Sequence, residues 1–486
     1  MYDIEENLTS VRLLESWATT ENPLNSTEEI LDWIKQKNSL TKVKIDKIPY
    51  DYKDGFWFYD ENKGEIRNRN NTFFQICGLQ EFNNGELVKE QPIIIQKEIG
   101  YLGIIGKVID GVLYFLMQAK IEPGNVNTIQ ISPTIQATKS NFMRAHGGKA
   151  PPYLDYFTNK SNYEIVVDQI QSEQSSRFLG KRNRNIIIIV DDEIELLDSH
   201  KWMTLGQIKQ LMRYDNLVNM DTRTVISCIP FALHDFSYKE ISHVKNLFSN
   251  KEFFNSMFFG SSDMSERINR IYRYMNEYKM LDNSDIKLVP LKDLKSWKFE
   301  NGELYSNKCC FKVVYCDIEI EGREVRKWQQ PLLEATGQST FGLIYCSDKG
   351  KLKFLIHAKS EVGCFDRIEI GPSVQLEPFE RADATIIDKV FNENLAAFER
   401  NQYDDISNTS MQLSGEVKFQ GLFSEEGGRF YHEQNQNIIM QINKNDLPNP
   451  LPEGYFWVDY QTLNILIQFN NCLNIQLRNL LSILDI

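Results

Sequence analysis

The sequence predicts an α+β fold made of two copies of one module, and three observations predict it. Residues 91–136 (QPIIIQKEIGYLGIIGKVIDGVLYFLMQAK…) repeat without a gap as 330–375 (QPLLEATGQSTFGLIYCSDKGKLKFLIHAK…). Gly103 falls on Gly342, Phe115 on Phe354, Lys120 on Lys359 and Pro133 on Pro372, a ladder of matches that marks internal duplication. Inside each copy, alternating apolar runs bounded by Asp110-Gly111 and Lys349-Gly350 predict a mostly antiparallel, curved sheet. Each copy then closes on an apolar pattern of helical spacing, WMTLGQIKQLM and WVDYQTLNILI. A chain of 486 residues is too long for one core and divides naturally into two. The division predicted is 1–235, with N-terminal helices, and 236–486, opening on a helical connector over 236–283.

In chain order, residues 10–37 read as helical, with Ser26 as cap and Glu29 three places on completing a capping box. Strands with turn signals follow. Their pattern returns later, with Pro290 and Trp297 where the first copy has Pro49 and Trp57, so the repeat begins near 43 and 284. A strand tryptophan is ordinarily core, but its place before a polar loop leaves base stacking open. Lys120 and Lys359 stand at strand ends beside Glu122 and Glu361, where a solvated ion pair is the ordinary reading. Residues 138–156 are polar, rich in Gly and Pro, and carry His146, as binding loops do. The second copy diverges there and loses the histidine and glycines, which predicts one working site and one altered site.

A second anchor pairs 172–185 (SEQSSRFLGKRNRN) with 424–437 (SEEGGRFYHEQNQN). Arginine beside serine and glycine suits a phosphate or diphosphate, because the guanidinium fork matches phosphate oxygens and glycine admits backbone N–H groups. The plainer alternative is a strand with a solvated basic face at Lys181, Arg182 and Arg184. In the closing helices, Thr204 with Gln207 forms a second capping box, Asp459 caps the copy, and Asn216/Asn219 match Asn471/Asn474. Such an Asn-x-x-Asn reads as a turn with a capped end, or as a ligand hydrogen bond. Residues 231–283 are aromatic and helical in pattern, too apolar for a flexible linker.

A net charge of −13 argues against a bulk electrostatic hold on nucleic acid. The start, MYDIEENLTS, predicts no signal peptide. No apolar run reaches membrane-spanning length. The eight cysteines form no CxxC and read as scattered buried thiols of a cytoplasmic protein. No spacing resembles a metal site.

Taken together, QAKIEPGNVNTIQISPTIQATKSNF, HGG, SEQSSRFLGKRNRN and DNLVNMDTRTVISC in the first half, with REVRKWQQPL, SEEGGRFY and LNIQLRNLL in the second, closely resemble the nucleotide-diphospho-hexose 2,3-dehydratases of deoxysugar biosynthesis. The resemblance spans nearly the whole chain. It implies two tandem Nudix-like modules, a homodimer, a dTDP-4-keto-6-deoxyhexose substrate, no cofactor, and coupling to a 3-ketoreductase or aminotransferase. It implies a nucleotide pocket in each module, one of them catalytic. Catalytic candidates are His146, Lys120, Glu122 and Tyr156, with Tyr153 and Asp155 nearby. Trp57 and Trp297 are implied to stack on the base. Ser140, Asn141, Phe142, Met143 and Arg144 form the polar loop after the first sheet, and Arg381 lies in the corresponding loop of the second copy. Ser172 and Arg177, and Gly427, Gly428, Arg429, Phe430 and Tyr431, are the two phosphate-side motifs; Asn474 completes the binding set. The Nudix hydrolase box is absent from both copies, which argues against a pyrophosphatase. Glu-Val-Gly at 361–363 departs from Glu-Pro-Gly in the first copy, and the segments that follow diverge. A catalytically silent nucleotide-sugar-binding protein is the competing expectation; the intact polar loop with His146 favours the enzyme.

Overall fold

A computed structural model describes residues 8–21, 24–49, 56–138, 150–158, 163–321, 325–403 and 415–486. The first half opens on α1 (Leu8–Ala18) and α2 (Thr27–Leu40). The capping box at Ser26 forms: its Oγ accepts from Glu29 N at 3.1 Å, and Glu29 Oε2 accepts from Ser26 N at 2.7 Å. Strands β1 (Val43–Ile48), β2 (Trp57–Asp60), β3 (Glu65–Asn68), β4 (Gln75–Asn83) and β5 (Glu86–Ile95) come next. They are followed by β6 (Gly100–Ile109), β7 (Val112–Ile121), β8 (Ile129–Ser132), β9 (Ile135–Ala137), helix α3 (Leu154–Thr158), β10 (Glu164–Ser172), β11 (Arg182–Ile189) and β12 (His200–Met203). Helices α4 (Leu205–Leu211) and α5 (Met220–Ser227) close the copy, and α6 (Tyr238–Lys245), α7 (Lys251–Phe258) and α8 (Met264–Leu281) fill the connector.

The second half repeats the pattern through β13 (Ser284–Val289), β14 (Lys298–Glu300), β15 (Glu303–Tyr305), β16 (Phe311–Ile320), β17 (Lys327–Ala335), β18 (Thr340–Asp348), β19 (Lys351–Lys359), β20 (Glu369–Pro372) and β21 (Val374–Leu376). It ends with α9 (Ile386–Tyr403), β22 (Glu416–Ser424), β23 (Phe430–Tyr431), β24 (Gln434–Gln441), β25 (Tyr455–Val458), α10 (Tyr460–Leu466) and α11 (Ile475–Ser482). The expected α+β class holds, and the duplication is visible strand by strand. One seven-stranded sheet runs β10-β11-β6-β7-β12 with β8 on β7 and β9 on β6; the other runs β22-β24-β18-β19-β25 with β20 on β19 and β21 on β18. Each has one parallel junction, β11 on β6 and β24 on β18, and each first strand carries a bulge, at Ile165/Val167 and at Val417/Phe419.

The smaller sheets are not confined to their own halves. β1 of the first copy pairs with β16 of the second, and β13 of the second pairs with β4 of the first. Each half therefore lends the other an edge strand. One core spans both copies and the connector, joining Trp17, Ile131 and Val225 to Phe253, Phe354 and Leu477. Buried arginines staple the halves. Arg223 on α5 donates to the Ser424 carbonyl at 2.7 Å, and Arg478 on α11 donates to Thr224 Oγ1 at 2.8 Å. The Asn-x-x-Asn segments are turns with capped ends: Asn216 and Asn471 adopt positive φ, and Asn219 and Asn474 cap α5 and α11. Among the described residues no helix is long and apolar enough to cross a membrane.

Candidate active site

The site is built where β7, β8 and β9 end beside the N-terminus of α5. Lys120, the next-to-last residue of β7, places its Nζ 3.2 Å from Glu122 Oε1. Gln136 on β9 donates from Nε2 to the same carboxylate at 3.0 Å. Ser132 Oγ and Asn219 Nδ2 donate to Gln136 Oε1 at 3.2 and 3.4 Å, which fixes the amide so that its N–H faces Glu122. The ordinary reading of a solvated pair fails: Glu122 is 9% exposed and Lys181, also expected on a solvated face, is 6% exposed.

The second half completes this site. After Glu122 the chain turns through Gly124, whose N–H donates to the Gly427 carbonyl at 2.7 Å and whose carbonyl accepts from His432 N at 2.8 Å. A Cβ at Gly124 would lie 1.6 Å from the Phe430 carbonyl oxygen, so only glycine permits the junction. The junction brings Glu426 and Arg429 to the first sheet. Arg429 stacks 4.2 Å over Phe74 and donates to neutral oxygens, Gln96 Oε1 at 3.2 and 3.1 Å and the Gly428 carbonyl at 2.7 Å. Among the described residues it has no ion-pair partner.

Buried carboxyls surround the Lys120–Glu122 pair. Burial, then the nearby Glu426, pushes Glu173 up to about 7. Asp221, in the first turn of α5, is driven well above the usual carboxylate range by burial, then by Glu426, Glu173 and Glu122. Burial raises Glu426, with Arg429 opposing and Glu122 reinforcing. Burial pulls the Lys181 ammonium down. The cluster thus combines a lysine, a carboxyl that accepts from it, and buried carboxyls whose neutral form burial favours, the parts an acid–base elimination requires.

The second copy builds the same frame and fills it differently. Gln375 donates to Glu361 at 3.1 Å and Asn474 to Gln375 at 2.9 Å. Lys359 turns instead to the Gln375 carbonyl at 3.0 Å, with Glu380 at 4.0 Å. Gly363 docks on the first copy's loop, donating to the Ser175 carbonyl at 2.9 Å. Arg177, 2% exposed, crosses into this site, stacks over Phe311 at 4.4 Å and is neutralised by Glu377 at 3.1 Å, with Cys310 Sγ at 3.2 Å. A surface cleft of about 290 Å³ lined by Arg267, Lys353, Lys444 and Trp457 lies elsewhere, and its cations are already paired with Asp263, Asp459 and Asp348.

A sequence profile of the NDP-hexose 2,3-dehydratases matches residues 27–229 and 268–484. The chain belongs to the NDP-hexose 2,3-dehydratase family. Among its curated relatives, the dTDP-4-dehydro-6-deoxy-alpha-D-glucopyranose 2,3-dehydratase of Saccharopolyspora spinosa is 35% identical over 97% of this chain and 94% of its own. Proteins of the same name from Amycolatopsis orientalis (32%, covering 98% and 93%) and Streptomyces violaceoruber (33%, covering 93% and 95%) are similar at full length. The resemblance stated from motifs is borne out, and the chain is a hydro-lyase of the 2,3-dehydratase type.

In this dehydratase the residues singled out from the sequence fall into three groups. Lys120, Glu122, Gly427, Gly428 and Arg429 come together at the first sheet, while Arg177, Asn474 and Ser172, whose Oγ donates to Glu369 at 3.0 Å, meet at the second. Others go elsewhere. Trp57 and Trp297 are 3% and 6% exposed, packed on Phe74 and Phe311, so in this conformation their rings are core, not platforms for a base. Phe430 is buried against Phe178, and Tyr431 stacks on His432. Tyr156 packs with Tyr153 and Tyr163, and Arg381 is a surface residue paired with Asp383. His146, Ser140, Asn141, Phe142, Met143 and Arg144 lie outside the described residues. Among the described residues no group of His, Cys, Asp and Glu is placed to hold a metal ion. Glu426, Asp221, Lys181 and Gln136 were missed; the available signal for Glu426 was its mismatch with Gln174 inside an otherwise matching motif.

Proposed function

We propose that this dehydratase acts on a dTDP-4-keto-6-deoxyhexose at the end of the first large sheet and gives a 3,4-diketo-2,6-dideoxy sugar nucleotide. The C3 hydrogen is α to the C4 ketone and the C2 hydroxyl is β to it. A base takes the C3 proton, the charge moves to the C4 oxygen, and collapse of that enolate expels the C2 hydroxyl as water with a proton from an acid. The resulting enol tautomerises. The substrate's ketone is the electron sink. Lys120 is the cation for the C4 oxyanion. Glu122, oriented by Lys120 and Gln136, is the base for the C3 proton. His146, which follows β9 in the sequence, is retained as an alternative acid or base.

The observation that carries this reading is the contrast between two equivalent arginines. Arg429 rests on neutral oxygens beside Lys120 and Glu122, open to a diphosphate, whereas Arg177 is occupied by Glu377. The first site is therefore the catalytic one. The same reading takes the halves, 1–235 and 236–486, as Nudix-like modules of a cytoplasmic homodimer. The diketone product is reactive, which suits immediate use by a 3-ketoreductase or aminotransferase. Incubation with dTDP-4-keto-6-deoxyglucose, with a ketoreductase and NADPH as trap, tests it by mass spectrometry. Loss of one water, recovered as a 2,6-dideoxy sugar, is expected. Unchanged substrate despite tight dTDP binding would indicate a silent binding protein, and release of dTMP a pyrophosphatase.

A further inference from the structure

Two carboxylates from different halves meet over Gly428. A Cβ built there would lie 2.9 Å from Glu426 Oε1 and 3.5 Å from Glu122 Oε1. The missing side chain thus leaves a space flanked by both groups. Their surroundings differ. Glu122 is an acceptor twice over, from Lys120 and from Gln136. Glu426 is half-buried, has no ion-pair partner among the described residues, and faces Glu122 together with the buried Glu173 and Asp221. Burial and the adjacent carboxylates favour its neutral form against the pull of Arg429. Two carboxyls in one site, one held by a lysine and an amide and the other without either, divide naturally into a base and an acid.

We propose that Glu426, contributed by the second half to the first half's sheet, is the general acid that protonates the departing C2 hydroxyl. The inference rests on the dehydratase reading above. Glu122 takes the C3 proton and the C–H pair becomes the C3–C4 enolate. That pair then forms the C2–C3 double bond as the C4 ketone returns, and the C2–O bond breaks as Glu426 gives its proton to the oxygen. Water leaves, and Glu426 is left as carboxylate. Tautomerisation moves the Glu122 proton to C2 and returns the C3 hydroxyl proton to Glu426, so both groups end as they began. The second site differs at this position: where the second copy has Glu426 the first copy carries Gln174, 1% exposed.

The test is Glu426→Gln in D2O with dTDP-4-keto-6-deoxyglucose, scoring deuterium at C3 and water loss separately. Gln174 in the matching loop shows that the amide fits the motif, and dTDP-induced thermal shift reports the fold. Water loss is expected to fall about 10²- to 10⁴-fold while C3 exchange persists. Elimination at the wild-type rate would overturn the proposal, and so would loss of exchange together with elimination, which would make Glu426 a base or a positioning residue. Glu426→Asp, which keeps the acid, should eliminate faster than the Gln variant; equal rates also overturn it. Wild type that neither exchanges nor eliminates would instead refute the dehydratase reading.

Discussion

Trp57 and Trp297 show how a residue's sequence position and its role can part company. They hold equivalent places in the two copies, and the repeat made both legible. Their burial was not legible, because it comes from Phe74, just before β4, and Phe311, at the start of β16, which tertiary packing brings against them. Trp57→Ala is therefore expected to cost about 3–5 kcal/mol of stability, read as a lowered denaturant midpoint. A rise in KM with stability unchanged would restore a stacking role. Arg177 and Arg429 were legible as anion binders by residue type. Their crossing into the opposite half was not, because a gapless repeat says which positions correspond and nothing about which copy they face. Neutralisation by Glu377, which sits where the first copy has Thr138, is a difference that only three dimensions give meaning.

At the scale of elements, local chemistry was read well. The boxes at Ser26 and Thr204, the cap at Asp459 and the Asn-x-x-Asn turns all form as their sequences dictate, because each depends on neighbours a few residues apart. Asn219→Ala removes the cap of α5 and the clamp on Gln136 together. It is expected to cost about 1 kcal/mol of stability and to lower kcat by more than the equivalent Asn474→Ala does. The Gly124 junction was hidden, since a Glu-Pro-Gly turn carries no mark of the loop it will meet. Gly124→Ala forces a methyl onto the Phe430 carbonyl. A loss of about 1–3 kcal/mol is expected by thermal melting, with activity falling as Glu426 and Arg429 move away; a wild-type melting temperature would contradict the junction.

The whole molecule is less divisible than its repeat suggests. Each half lacks an edge strand, an arginine staple and a docking loop that the other supplies. Chains cut after residue 235 should be inactive and aggregation-prone when made singly and regain activity when co-expressed. Acid should weaken the fold through the buried His200. Burial, opposed by its Thr134 carbonyl partner, lowers His200 to about 4 from 6.5. A folded value below the unfolded one means that its contribution is complete above pH 6.5 and is lost as pH falls through about 4. Urea midpoints should drop over that interval while the His200 ring resonances stay neutral until its lower end.

The most direct test of a single working site on the first sheet compares Lys120→Met with Lys359→Met, the same substitution at equivalent strand ends. Water loss from dTDP-4-keto-6-deoxyglucose is predicted to fall at least about 10²-fold for Lys120→Met and to stay close to wild type for Lys359→Met. The reverse order, or equal losses in both variants, would contradict the assignment of catalysis to the Lys120–Glu122–Arg429 site.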